Sequence, residues 1–222
     1  MRTALTIILV CFFTQIYSQK CECSTNSDLK NLISCKQTKF QNGAKIYWNY
    51  DCNSSWIIFE NGNIKKKIFE LDKQFIDYSG RLGYRNWTEY KNVFLIENSI
   101  VSGCCQPGEF ILYNKNNGKK IAELGTIIFL NDSKNIPFAL TFKNNSQLLF
   151  TNLNENKFCE IKIPLNLIKK TLQNSNELYS ENLFENIEFK NELLTFDIKY
   201  KETKNSNWKK KSIIFDAKKY CR

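Results

Sequence analysis

From Trp56 onward the chain places short apolar or alternating runs between Asn, Gly, Lys and Asp, which is the pattern of antiparallel strands joined by tight turns. WIIFENGNIKKKIFEL reads as strand, turn, strand, with Asn61-Gly62 or Gly62-Asn63 supplying the positive φ that a tight hairpin needs. VFLIENSIVSG, EFILYNKNNGKKIAEL and TIIFLND continue the pattern, and Asn117-Gly118 marks another turn. FALTFKNN, QLLFTNL and KFCEIKIP form a three-strand phrase, and IEFKN, LLTFDIKYK and KKSIIFDAKK close the chain. Four such phrases begin near Trp56, Val93, Phe138 and Ile187, at spacings of 37, 45 and 49 residues. Four units of that size are what a small β-propeller needs, and a β-sandwich meander gives the same local signals. The expected fold is all-β: antiparallel hairpins and meanders in a small propeller-like or sandwich architecture.

Two or three short helices are expected beside the strands. Thr25 to Cys35 carries a plausible cap ahead of Leu29, Leu32 and Ile33 at helical spacing. Pro164 can start a second helix with Leu165, Ile168 and Leu172 on one face. A third is expected over Glu70 to Tyr78.

The amino terminus, MRTALTIILVCFFTQIYSQ, sets one arginine ahead of an apolar run from Ala4 to Phe13 and reads as a secretory signal peptide with cleavage after Ser18. The run is shorter than the roughly 20 apolar residues of a membrane span, so no transmembrane segment is expected after cleavage. Cys11 follows Val10 and Cys21 follows Lys20, neither of them the small residue that precedes a lipoprotein anchor cysteine. Removing 18 of the 222 residues leaves 204, enough for a sizeable core. Residues 19–55 form a cysteine-rich segment, and 56–222 an antiparallel β domain that makes one compact unit with it. A secreted, periplasmic or cell-surface location follows.

The eight cysteines outside the signal peptide are Cys21, Cys23, Cys35, Cys52, Cys104, Cys105, Cys159 and Cys221. An even number in an exported chain argues for disulfides, with pairing left open, and the early cluster together with Cys221 suggests that both ends are tied down. Cys21-X-Cys23 could supply two zinc ligands, but the spacing, the oxidising compartment and the lack of histidine argue against metal. The adjacent pair in SGCCQPG, Ser102 to Gly108, admits three states. Each cysteine can bond a distant partner, the two can close a vicinal ring, or both can stay free. Neighbouring Cα atoms lie about 3.8 Å apart, below the usual disulfide span of roughly 4.4 to 6.8 Å, so a vicinal ring would be strained and would present a stiff apolar knob to a ligand.

The chain holds no histidine, which excludes Ser-His-Asp triads, Cys-His dyads and imidazole proton shuttles. Carboxylate pairs, Ser-Lys arrangements and Tyr or Lys nucleophiles remain. The 32 Lys and Arg outnumber the 22 Asp and Glu, for a formal charge of +10. Lysine clusters, Lys209 to Lys211 among them, read as solvated hairpin tips or as attraction to an anionic polymer or membrane surface. Export and the lack of any binding motif argue against nucleic acid. Asn53, Asn86, Asn131 and Asn144 head N-X-Ser/Thr sequences, which matter only where the host glycosylates.

Two aromatic clusters, Tyr47, Trp48, Tyr50 and Trp56, then Tyr84, Trp87 and Tyr90, are candidates for a sugar-stacking platform or for core. Arg81 and Arg85 offer a handle for an anionic ligand. GAKIYWNYDCNSSWIIFENG, the start QKCEC and GYRNWTEYKNVFLIENSIVSGCC resemble exported β-rich bacterial proteins of unassigned function. The resemblance implies export and a β-rich fold, and no functional residue is carried over from it. The expected function is a binding or structural module of the envelope or medium, without a cofactor, with a glycan, an anionic envelope polymer or another protein as partner. Its binding residues are Cys104, Cys105, Trp48, Tyr50, Tyr84, Arg85 and Trp87. A histidine-free carboxylate hydrolase and a secreted inhibitor or effector are the alternatives.

Overall fold

A computed structural model describes residues 22–23, 33–72, 74, 87–98, 108–133, 136–143 and 147–221. Strands β1 (Thr38–Lys39), β2 (Lys45–Tyr50), β3 (Ser54–Asn61) and β4 (Ile64–Asp72) form a first sheet in chain order. A second sheet holds β5 (Trp87–Glu89), β6 (Val93–Asn98), β7 (Glu109–Asn114), β8 (Lys120–Asn131), β9 (Phe138–Lys143), β10 (Gln147–Asn152) and β11 (Lys157–Ile161), again in chain order. The third is β12 (Phe184–Lys190), β13 (Leu193–Tyr200) and β14 (Lys209–Asp216). Every strand pair is antiparallel and joins sequence neighbours, so the protein is an all-β meander.

The turns have the backbone that their residues allow. Asn61 pairs with Ile64, leaving Gly62-Asn63 as a two-residue loop with Gly62 at φ +55. Lys190 pairs with Leu193, and the two residues between them, Asn191 and Glu192, both have positive φ, as a type I′ turn requires. The expected helix after Pro164 is α1 (Leu165–Asn174), which buries Ile168 and Thr171. The expected helix over Glu70 to Tyr78 is corrected at its start: Glu70, Leu71 and Asp72 continue β4, with Leu71 buried in the core. Most of the Thr25 to Cys35 segment lies outside the described residues.

The sheets stack in layers. The phrases from Val93 and Phe138 belong to the one seven-stranded sheet and do not form separate blades. Its first half packs Phe94, Ile96 and Tyr113 against Ile46, Trp48, Tyr50, Ile57 and Phe59 of the first sheet. Phe94 stacks between Phe59 and Tyr113, with centroids at 5.7 and 5.2 Å. Its second half packs Phe138, Leu140, Phe142 and Phe150 against Phe184, Leu194, Phe196 and Ile198 of the third sheet. The opposite face curls round Val93, Leu95, Leu112, Leu124 and Leu153, and Asn92 at one end donates to the Asn154 carbonyl near the other.

Gly125 sits in the curl. The register between β7 and β8 shifts beside it, its φ is +84, and a Cβ there would lie 2.7 Å from the Phe142 carbonyl oxygen and 2.8 Å from the Lys143 Cα. Backbone atoms cannot swing away as a side chain would. Gly125→Ala is therefore expected to cost about 2 to 3 kcal/mol in denaturant unfolding, more than a left-handed backbone alone costs. A loss under about 1 kcal/mol would mean that the two strands separate easily at this point.

Candidate functional site

Of the residues expected to bind, three lie among the described residues, and none of the three is exposed. Along β2, Ile46, Trp48 and Tyr50 point inward on alternate positions, leaving Trp48 6% and Tyr50 1% exposed. This corrects their place in a sugar-stacking platform, because a ring in the core has no free face. Trp87 is half-buried against the same core. The face of Trp56 is covered by the Lys67 ammonium at 4.0 Å. Tyr84, Arg85, Cys104 and Cys105 lie outside the described residues, as does Cys21.

Cys23 bonds Cys35, and Cys159 bonds Cys221, with Cα separations of 6.0 and 5.2 Å. The second bridge ties the carboxyl end to β11, the tethering that Cys221 suggested. Cys52 is also disulfide-bonded, and none of those four is its partner.

The outer face of the third sheet brings together side chains that the sequence reading kept apart. In β13, Leu194, Phe196 and Ile198 are buried, so the alternate residues Thr195, Asp197 and Lys199 face outward. Register then sets Ile214 beside Thr195, Ser212 beside Asp197 and Lys210 beside Lys199. Beyond the last pair, Tyr200 with Lys209, comes Trp208, which is 43% exposed. The Lys199 and Lys201 ammonium groups stand 5.4 and 5.5 Å from its ring centroid. Glu185 on β12 holds Lys210 at 2.8 Å and Lys199 at 3.5 Å. Glu202 holds Lys209 at 2.7 Å.

Asp197 is organised as an acceptor. The Ser212 hydroxyl donates to Oδ1 at 2.6 Å and the Asn186 amide to Oδ2 at 2.7 Å. These hydrogen bonds, that from Ser212 first, hold its carboxyl below the usual range. Asn186 reaches across because β12 changes register between Glu185 and Glu188, with Asn186 itself at φ 53. Ile214 ends the row, 72% exposed.

Two other concavities involve the second sheet. A groove of about 610 Å³ runs between β4 and β7 to β9, with Lys66, Lys120, Lys143, Glu109 and Glu123 on its walls and Gly125 and Thr126 beneath. Asn98 and Glu109, between which SGCCQPG falls, both line it. A smaller pocket of about 450 Å³ holds Glu89 and Asp132. Both carboxylates are engaged there: Glu89 accepts from Lys115 Nζ and from the Gln41 backbone N–H, each at 2.8 Å, and Asp132 accepts from the Tyr90 hydroxyl at 2.9 Å. Burial and this hydrogen bond push the Tyr90 phenol well above its ordinary value.

Among the described residues, no group of three His, Cys, Asp or Glu is placed to hold a metal ion, and no helix is long and apolar enough to cross a membrane. No protein-family model and no curated protein matches the chain.

Proposed function

We propose that the protein is an exported binding module that takes an anionic glycan on the outer face of its third sheet. The observation that carries this reading is Trp208, an exposed indole with two lysine ammonium groups from the neighbouring strand end, those of Lys199 and Lys201, within 5.5 Å of its centroid. An indole face buries the apolar face of a pyranose, and its amphipathic edge stays wetted. The neighbouring ammonium groups attract a carboxylate or sulfate carried on the same sugar. Lys210 is tied to Glu185, and Lys199 to Glu185 and Glu177; these pairs are partly hydrated and their N–O distances at Lys199 are long, 3.5 and 3.7 Å, so an incoming anion can compete with the glutamates. The net charge of +10 adds long-range steering of a polyanion. Disulfides at Cys23–Cys35 and Cys159–Cys221 support an oxidising compartment.

Calorimetric titration tests the reading. Hyaluronan, as a uronate-bearing glycan, is expected to bind, neutral dextran of similar length to bind at least tenfold more weakly, and the hyaluronan affinity to fall as salt screens the lysines. Trp208→Ala is expected to weaken hyaluronan binding tenfold or more, about 1.4 kcal/mol. Equal affinity for both polymers, or an unchanged affinity in Trp208→Ala, would refute it.

A further inference from the structure

We infer that a second site, at the opposite end of the third sheet from Trp208, takes an N-acylated amino acid with an apolar side chain, either free or as the carboxyl terminus of a peptide. A concavity of about 630 Å³ lies where the β10 to β11 turn, the residue Ile136 ahead of β9 and the β12 to β13 turn come together, bordered also by Lys91 and Ala217. Leu193 pairs with Asp216 at this end of β13 and Tyr200 with Lys209 at the Trp208 end, roughly 23 Å apart along an extended strand. The inference therefore stands apart from the glycan reading and shares no residue with it.

Three properties of the lining select the ligand. Phe150 and Phe189, with centroids 4.8 Å apart, give it an apolar side, which Ile136, 41% exposed, extends. Lys157 is held by Glu155 at 3.2 Å and Lys218 by Glu192 at 3.8 Å, whereas Lys91 has no ion pair or hydrogen bond among the described residues. Lys91 also borders the pocket of Glu89 and Asp132, but the one accepts from Lys115 and the other from Tyr90. One uncompensated ammonium group fits a single carboxylate. The remaining polar groups are amides. Asn152 Oδ1 accepts from the Asn154 and Glu155 backbone N–H groups, each at 3.1 Å, which leaves its Nδ2 donors unused. The Asn154 and Asn191 side chains have no partner among the described residues. A free carboxamide sets a donor beside an acceptor and so matches the N–H and C=O of a secondary amide. One carboxylate, one amide and one apolar side chain are the parts of an N-acylated amino acid, and an apolar wall with a few unengaged polar groups is the usual form of a small-ligand site. A dianion would set its second charge against Glu155 or Glu192, and a neutral compound would gain nothing from Lys91.

Calorimetric titration with N-acetylphenylalanine tests this, with N-acetylphenylalaninamide as the uncharged counterpart. The acid is expected to bind about tenfold more tightly than the carboxamide. Lys91→Gln, at an exposed position without partners among the described residues, is expected to fold and to bring that ratio toward one. Asn154→Ala is expected to weaken both compounds severalfold, and Trp208→Ala to change neither. A tetrapeptide ending in phenylalanine distinguishes the sources. Affinity equal to or above that of the acid assigns the site to peptide carboxyl termini, and affinity about tenfold lower assigns it to the free acylated amino acid. Equal affinity for acid and carboxamide, an unchanged ratio in Lys91→Gln, or loss of acid binding in Trp208→Ala overturns the inference. Glucuronate binding as tight as that of the acid overturns it too, by making the site one for sugar acids. Failure of the acid to bind while hyaluronan still does overturns this inference and leaves the glycan reading standing.

Discussion

Exchanging Cys159 and Cys221 together for serine is expected to lower the unfolding free energy by about 4 kcal/mol. The bridge closes a loop across a sequence separation of 62 and contains β12 to β14, the whole sheet that bears the candidate site. Opening it frees that loop in the unfolded chain, and the chain-entropy relation gives about 4 kcal/mol for a loop of this size. The folded state loses as well, because Cys159 is buried beside Ile161 and Phe150 and α2 (Ala217–Tyr220) is anchored through Cys221. Urea titration of the double variant checks this, with a lower midpoint expected and a steeper slope, because the opened unfolded chain exposes more surface. A midpoint shift equivalent to less than about 1 kcal/mol would show that the third sheet holds its place by packing alone.

Lys115→Met is expected to cost about 3 kcal/mol. Lys115 follows β7 and is buried, its side chain 5% exposed, with Nζ 2.8 Å from Glu89 Oε1 and 2.8 Å from the Tyr90 carbonyl. Its own carbonyl accepts from the Asn42 amide at 3.0 Å, and Glu89 accepts from the Gln41 N–H. One lysine thus joins the β1 to β2 turn, the end of β5 and the end of β7. Methionine fills the volume but leaves the Glu89 carboxylate without its cation, and breaking a buried pair on one side costs roughly 3 to 5 kcal/mol. Glu89 is partly hydrated, which places the cost at the low end. Adding Glu89→Gln removes the stranded charge and keeps an acceptor for Gln41, so the double variant should recover most of the loss. If Lys115→Met is nearly silent, the junction is held by the stack of Phe59, Phe94 and Tyr113.

Much of the fold could be read from local pattern because its contacts are local. Hairpins pair neighbours, so the alternation in LLTFDIKYK and the Gly62-Asn63 turn carry nearly all the information that β13 and the β3 to β4 hairpin require. The division into sheets of four, seven and three strands depends on where bulges bend the chain, and residue type marks few of these: Gly125 in β8 and Asn186 in β12 among the described residues. The helix expected over Glu70 to Tyr78 failed at its start because Ile68, Phe69 and Leu71 fit either period, and pairing with β3 decides for strand.

The site was less legible. The alternation of Ile46, Trp48 and Tyr50 already put both rings on the inward face, yet aromatic density alone suggested a platform. Trp208 stands between a polar turn and three lysines, which read as a solvated tip. The pairing of β13 with β14, ending at Tyr200 and Lys209, brings Lys199 and Lys201 beside its ring. Lys115 gave no signal, since a lysine among asparagines looks like any loop residue.

The most direct measurement follows the four tryptophan indole N–H resonances while hyaluronan is titrated into labelled protein. Trp48 is buried, the Trp56 indole nitrogen is buried, and Trp87 packs against the first core, while Trp208 is exposed on the third sheet. The Trp208 resonance is expected to shift with saturation while the other three stay in place. A saturable shift confined to Trp56 or Trp87, or no shift of Trp208 at concentrations where calorimetry shows binding, would contradict the proposed glycan site.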